Sequence, residues 1–194
     1  MTDTPQAPQG NTGDIINWPM LKVHYRTDPD AIAALLPPGI TVGAEPNVNL
    51  TIYNFPVPDV PEYGIVTTVN ADFNGVQGEY TLGYGIDQES AIFISQETNG
   101  QPKYPAEVDY HRIGPMVRAR CVHQGYTFVE FEGTSEGPAG PQPEWEQNEW
   151  WIKVSRAVSI GGPATGYDFP PHVVHVKSKY GTAWQESVQG KLTL

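Results

Sequence analysis

The sequence is short of cysteine, of basic residues and of long apolar runs, and each shortage closes off a class of protein. Cys121 is the single cysteine among 194 residues, so no intramolecular disulfide forms and nothing favours an oxidising compartment. In Val117-Arg118-Ala119-Arg120-Cys121 the thiol falls on the apolar side of an alternating strand and reads as core. Eleven Lys and Arg face 22 Asp and Glu, a formal net charge of −11. Such a field argues against nucleic acid and against membrane surfaces as partners, and any anionic substrate needs a local basic pocket working against it. No run approaches membrane-spanning length, and residues 1–14 lack the basic start and apolar block of a signal peptide. The expected location is cytoplasmic. Those fourteen residues, polar with Pro and Gly, are expected to form a disordered tail, leaving 15–194 as a single domain.

What is abundant is turn-forming sequence. Nineteen prolines and 20 glycines are too many for a helical bundle and point to short strands joined by tight turns. Thr27-Asp28-Pro29-Asp30 is a helix start, with a capping side chain, a first-turn proline and acids at the positive dipole end. Ile32, Leu35 and Leu36 give that helix one apolar face, and Pro37-Pro38-Gly39 stops it. Elsewhere the signals are β. Val48, Leu50 and Ile52 alternate with polar neighbours, Ile65 to Val69 is a β-branched run, and Asn74-Gly75 is a two-residue hairpin turn. Ala91–Ser95 reads as a short strand buried on both sides. Met116–His123 pairs with Tyr126–Glu132 across Gln124-Gly125, and residues 133–148 read as an exposed loop. Further strands are expected at Trp150–Val154, His172–Val176 and Val188–Leu194. The fold class is therefore mainly β (α+β): an antiparallel β-barrel or strongly curved sheet with one early helix.

Lys103 stands out among only six lysines. It follows Pro102 and precedes Tyr104, just after the apolar run Ala91-Ile92-Phe93-Ile94. A desolvated amine there loses its proton and can attack a carbonyl carbon. On the residues alone, a surface lysine beside the Asn99-Gly100 turn is the commoner reading.

Several segments, in order, resemble the acetoacetate decarboxylase family: Tyr25-Arg26-Thr27-Asp28 through Leu36-Pro37-Pro38; Phe73-Asn74-Gly75-Val76 through Gly78-Glu79-Tyr80; Ala91-Ile92 through Glu97 to Pro102-Lys103; Trp151-Ile152-Lys153; and Gly190-Lys191-Leu192-Thr193-Leu194. The resemblance implies a β-barrel in a homo-oligomer, no cofactor, and a Schiff base between Lys103 and a small oxo acid. The sequence departs from the family pattern at Tyr104, where a second lysine is usual. Thr51 and Ile65 stand where glutamates are expected, Trp18 where an arginine is expected, and Ser95-Gln96-Glu97 replaces Gly-Arg-Glu. The resemblance leads one to expect a further strand-bearing segment after the Gly-x-x-x-Leu strand, so the sequence reads as a shortened member or a fragment of one.

With Tyr104 in the adjacent slot, burial must supply most of the activation. A free lysine near pKa 10.4 is neutral in roughly one molecule in 2,500 at pH 7, and bringing it to about 7 takes about 4.6 kcal/mol. Ile65, Ile92, Ile94 and Trp18 are the expected desolvating groups. Glu97 is read either as proton carrier or as a structural acceptor, and Trp18, Tyr63, Ile65, Gln96, Asn99, Gln101 and Tyr104 are the expected pocket. The expected activity is decarboxylation or aldol-type chemistry. The rival readings are a non-catalytic small-molecule-binding barrel and an inactive truncated member. His172 and His175, three apart on a strand, face opposite sides and are not read as a metal site.

Overall fold

The computed structural model describes residues 14–56, 60–158 and 166–194. In chain order its elements are β1 (Asp14–Ile16), β2 (Met20–Arg26), α1 (Pro29–Ala33), β3 (Ile40–Val42), β4 (Asn47–Phe55), β5 (Glu62–Phe73), β6 (Val76–Ile86), α2 (Glu89–Asn99), β7 (Lys103–Pro105), β8 (Glu107–Ile113), β9 (Met116–His123), β10 (Tyr126–Arg156) and β11 (Tyr167–Thr193). All eleven strands join one sheet with the path β1-β11-β10-β6-β5-β4-β2, the other four branching from it. The two end strands are consecutive in the chain, joined only by Asn17, Trp18 and Pro19. Four peptide steps span at most about 14 Å, so the sheet must curl until its ends nearly meet. Asn17 secures the bend with a left-handed backbone (φ 59°). Its N–H donates to the Gly181 carbonyl, and its side-chain oxygen accepts from the Ala183 N–H, both at 2.9 Å.

The curled sheet has two unlike faces. Leu21, Leu50, Ile52 and Ile65 point one way and pack against Val108, Val117, Cys121, Val129 and Phe131 of β8–β10, forming the principal apolar core. The alternate residues point the other way. Register pairs Lys22 with Thr51, Thr51 with Val66, Val66 with Tyr84 and Tyr84 with Lys103, so these five form one row across β2, β4, β5, β6 and β7. Side chains in such a row share a face. This second face is rich in polar groups.

Three expectations change. Ala91–Ser95 lies inside helix α2, not in a strand: only Ile92 is buried, while Phe93 and Ile94 are 59% and 67% exposed. The stop signal decides it. Gly100 takes the left-handed conformation (φ 70°), its N–H donates to the Gln96 carbonyl, and the Gln101 N–H donates to that of Ser95. That closure ends helices, not strands. There are accordingly two helices. Residues 133–148 are not a loop but the middle of the 31-residue β10, paired with the 27-residue β11. The prolines and glycines there are absorbed as register shifts around Gly137 and Gly140, which is where strands tolerate them. The separate strands expected at His172–Val176 and Val188–Leu194 are parts of that one β11. The expected tail falls, up to residue 13, outside the described residues.

Candidate active site around Lys103

Lys103 is positioned by what surrounds its backbone and its neighbour. The Tyr84 N–H donates to the Pro102 carbonyl (2.9 Å), and the Gln96 side-chain amide donates to the Lys103 carbonyl (2.5 Å). Tyr104 anchors the opposite face. Its ring lies so close to β6 that a Cβ on Gly83 or Gly85 would come within 2.9 and 3.0 Å of it, and it meets His123 edge-on at 5.2 Å. Burial pushes the Tyr104 phenol up to about 12. Because successive strand residues alternate, fixing Tyr104 into the apolar core sends Lys103 to the polar face.

There the amine meets a carboxylate. Lys103 Nζ lies 3.8 Å from Glu62 Oε2, with the two side chains only 11% and 9% exposed. That separation is an ion pair but too long for a hydrogen bond. The Tyr53 hydroxyl donates to the other oxygen, Glu62 Oε1, at 2.8 Å. Tyr53 reaches it by lying across Gly64, its register partner, where a Cβ would sit 2.5 Å from the ring. Tyr53 is packed with Ile86 and Ile92, with Trp18, Met20 and Phe55 against them. Trp18 stacks on Phe55 at 4.2 Å. Burial lowers the Lys103 pKa below the ordinary lysine value, and Glu62 opposes the shift. Burial, with Glu62 second, holds the Tyr53 phenol well above its usual range.

A second layer of polar groups adjoins the first. Tyr84, Lys103's register partner, donates to Glu149 Oε1 at 2.7 Å. Trp151 Nε1 donates to the same oxygen at 2.6 Å, and the Thr81 hydroxyl also donates to it. Burial raises the Glu149 carboxyl and these three donors oppose it. Glu79 accepts from the Thr68 hydroxyl. Asn49 donates to Thr68 and Asn70 and accepts from His24 Nδ1.

The expected pocket residues divide between the faces. Trp18 packs on the Lys103 side and Gln96 holds the Lys103 backbone. Ile65 belongs to the row Ile52–Ile65–Gly85–Tyr104 on the opposite face and is wholly buried in the main core, so neither it nor Tyr104 walls the amine. Tyr63 also faces that side, accepting from Asn54 Nδ2. Asn99 is exposed at the end of α2, and Gln101 supplies backbone contacts. Glu97 is 85% exposed and sits 4.0 Å from Lys153, whose amine caps α2 by donating to the Gln96 carbonyl at 3.0 Å. Glu97 is therefore turned to solvent, and Ile94 beside it is exposed as well. The groups that do gather at Lys103, namely Glu62, Tyr53 and Tyr84, are absent from the sequence-based set. Glu62 shares its side of β5 with Gly64 and Val66, a parity that points to Lys103 only once the strand register is known. Among the described residues no group of three or more His, Cys, Asp or Glu could hold a metal ion, and no helix is long and apolar enough to cross a membrane.

An open, curved, mainly β sheet is the fold this chain shares with solved acetoacetate decarboxylases. The family model "Acetoacetate decarboxylase (ADC)" matches residues 3–194, and the chain belongs to that family. An acetoacetate decarboxylase of Paraburkholderia phytofirmans is 36% identical over 104 residues, which is 52% of this chain and 40% of that protein. The chain thus matches less than half the length of that relative. The crystal structure of acetoacetate decarboxylase from Legionella pneumophila superposes with a TM-score of 0.67 at 18% identity, covering 99% of this chain and 79% of that one. The enduracididine biosynthesis enzyme MppR, complexed with the condensation product of pyruvate and imidazole 4-carboxaldehyde, superposes with a TM-score of 0.52 at 17% identity, covering 89% of this chain and 86% of that one.

Proposed function

We propose that the chain is a carbon–carbon lyase that forms a Schiff base between Lys103 and a small oxo acid. The observation that carries the reading is the largely enclosed Lys103 side chain, its amine 3.8 Å from Glu62. Glu62 takes a proton from the ammonium group, and the freed nitrogen lone pair attacks the substrate carbonyl carbon. The same proton returns to the carbinolamine oxygen, which leaves as water and gives the iminium. The iminium draws electrons from the adjacent carbon, so a 3-oxo acid loses CO2 to give an enamine, which is reprotonated and hydrolysed. Alternatively the enamine from a 2-oxo acid attacks an aldehyde carbon and makes a carbon–carbon bond.

The site's polarity favours the second course. A departing carboxylate wants a dry apolar seat, whereas Tyr53, Tyr84 and Glu62 place hydroxyls and an acid on the amine's own face. The condensation product bound by MppR is chemistry of that second kind. Glu62, not Glu97, is the proton carrier in this reading, and Tyr53 is the positioning residue that orients it.

The test is borohydride trapping. With pyruvate or acetoacetate present, intact-mass analysis is expected to show one reduced adduct, mapping to Lys103 and missing from Lys103→Ala. No adduct, or the same adduct in the variant, sinks the proposal. Release of CO2 from acetoacetate against condensation of pyruvate with an aldehyde separates the two courses.

A further inference from the structure

The two ends of the sheet leave a cavity of about 960 Å³ between the outer edge of β2 and β11. Its wall is mostly apolar and aromatic: Leu21, Val23, Phe131, Trp184, Val188 and Leu192 are among its residues. Lys103 is not among them. Lys22 is, and it also lines a small polar cavity of about 20 Å³ shared with Glu79, Glu149 and Tyr180. Its amine reaches from β2 across the gap to β10 and β11. Nζ lies 4.1 Å from the centre of the Tyr180 ring and 5.1 Å from that of Trp145. Those two rings are register partners and stack on each other at 5.3 Å.

The setting of this amine is unlike that of the other inward lysines. Lys103 has Glu62, and Lys153 has Glu97 and the Gln96 carbonyl. Among the described residues Lys22 has no carboxylate within ion-pair distance and no hydrogen-bond acceptor. Its charge rests on the ring faces, and ring faces offer no lone pair to its three N–H donors. Burial disfavours the charged form, and the more distant Glu79 favours it. Glu79 itself is engaged by Thr68. A second polar group on the same cavity wall is also left over: Asn54 Oδ1 is buried without a partner. In a chain of net charge −11, a cation held this way is the local basic spot that an anion requires.

We propose that this cavity binds an amphipathic carboxylate, with its head on the Lys22 ammonium and its apolar body along Phe131, Val188 and Leu192. The site is separate from Lys103 and does not depend on the Schiff-base reading. A carboxylate supplies the acceptors that the ammonium lacks, and a chain of eight or so carbons replaces water against the apolar wall.

Octanoate and 1-octanol serve as a matched pair of probes, read by calorimetry on the full chain. Octanoate is expected to bind more tightly than the alcohol. Lys22→Met is expected to weaken octanoate by about tenfold or more while leaving octanol unchanged, which also shows that the cavity is intact. Lys22→Arg keeps octanoate binding, Leu192→Trp, which fills the cavity, removes both, and Lys103→Ala changes neither. Failure of octanoate to bind the unaltered chain overturns the proposal, as does equal octanoate affinity in Lys22→Met. Should Lys22→Met not fold, undiminished octanoate binding by Leu192→Trp overturns it independently.

Discussion

At the scale of single residues, the proposed chemistry turns on how a charge is kept from water. Burial lowers the Lys103 pKa and Glu62 raises it, so removing the Glu62 charge must lower it further. Glu62→Gln is therefore expected to shift the pH profile of Lys103 labelling to lower pH than in the unaltered chain. Turnover is expected to fall by about a hundredfold or more, the cost of losing a proton carrier. A labelling profile that moves the other way contradicts the geometry. Glu149 offers a second test. Its carboxyl is raised by burial, so between its unfolded and folded pKa values the folded chain binds the extra proton and stability declines as pH rises. Glu149→Gln keeps an acceptor for Tyr84 and Trp151 but carries no proton to lose. Its urea midpoint is expected to gain on that of the unaltered chain as pH is raised through that window. Lys103 was singled out in the sequence by Pro102, an aromatic neighbour and the family segments, but the residues alone favoured an exposed lysine, whereas its side chain is 11% exposed. Glu62 and Tyr53 were not, because strand parity selects them only once the register of β4 against β5 is known, and no local pattern fixes that register.

At the scale of elements, helix α2 shows where apolar content misleads. Ala91-Ile92-Phe93-Ile94 looks like a strand by composition, yet Glu89 at its start and Gly100 at its end are helix punctuation, and punctuation outranks a four-residue run. The start of helix α1 was legible because its capping Asp28, whose side chain accepts from the Asp30 N–H at 2.9 Å, and its first-turn proline are both local; its end was not, for it stops at Ala33 and leaves Leu35 58% exposed. Gly100 is also where α2 touches β10, since a Cβ there would lie 2.7 Å from Lys153 Cα. Gly100→Ala combines that clash with a left-handed backbone and is expected to cost about 1–2 kcal/mol or more in urea unfolding. Because Gln96 of the last turn holds the Lys103 carbonyl, the same variant is expected to slow borohydride trapping. Gly64→Ala separates position from stability more sharply: displacing the Tyr53 ring frees Glu62 Oε1, and trapping is expected to slow with Lys103 and Glu62 both intact.

At the scale of the whole molecule, the β-rich class was visible in alternation and turn residues. The merging of five expected segments, four strands and a loop, into two long strands was not. Nothing local distinguishes a bulge at Gly137 or Gly140 from a loop, and only pairing with β11 across the full length makes the difference. The curl likewise arises from a long-range fact, that β1 and β2 are adjacent in sequence and sit at opposite ends of the sheet path. Its consequence concerns motion. Backbone ladders run through every junction from β4 to β7, but among the described residues the outer side of β2 has none. The sheet is therefore expected to open more readily along the outer side of β2 than within the β4–β5–β6 ladder. Outward amides of β2 are expected to trade deuterium quickly while those of β5 and β6 stay protected.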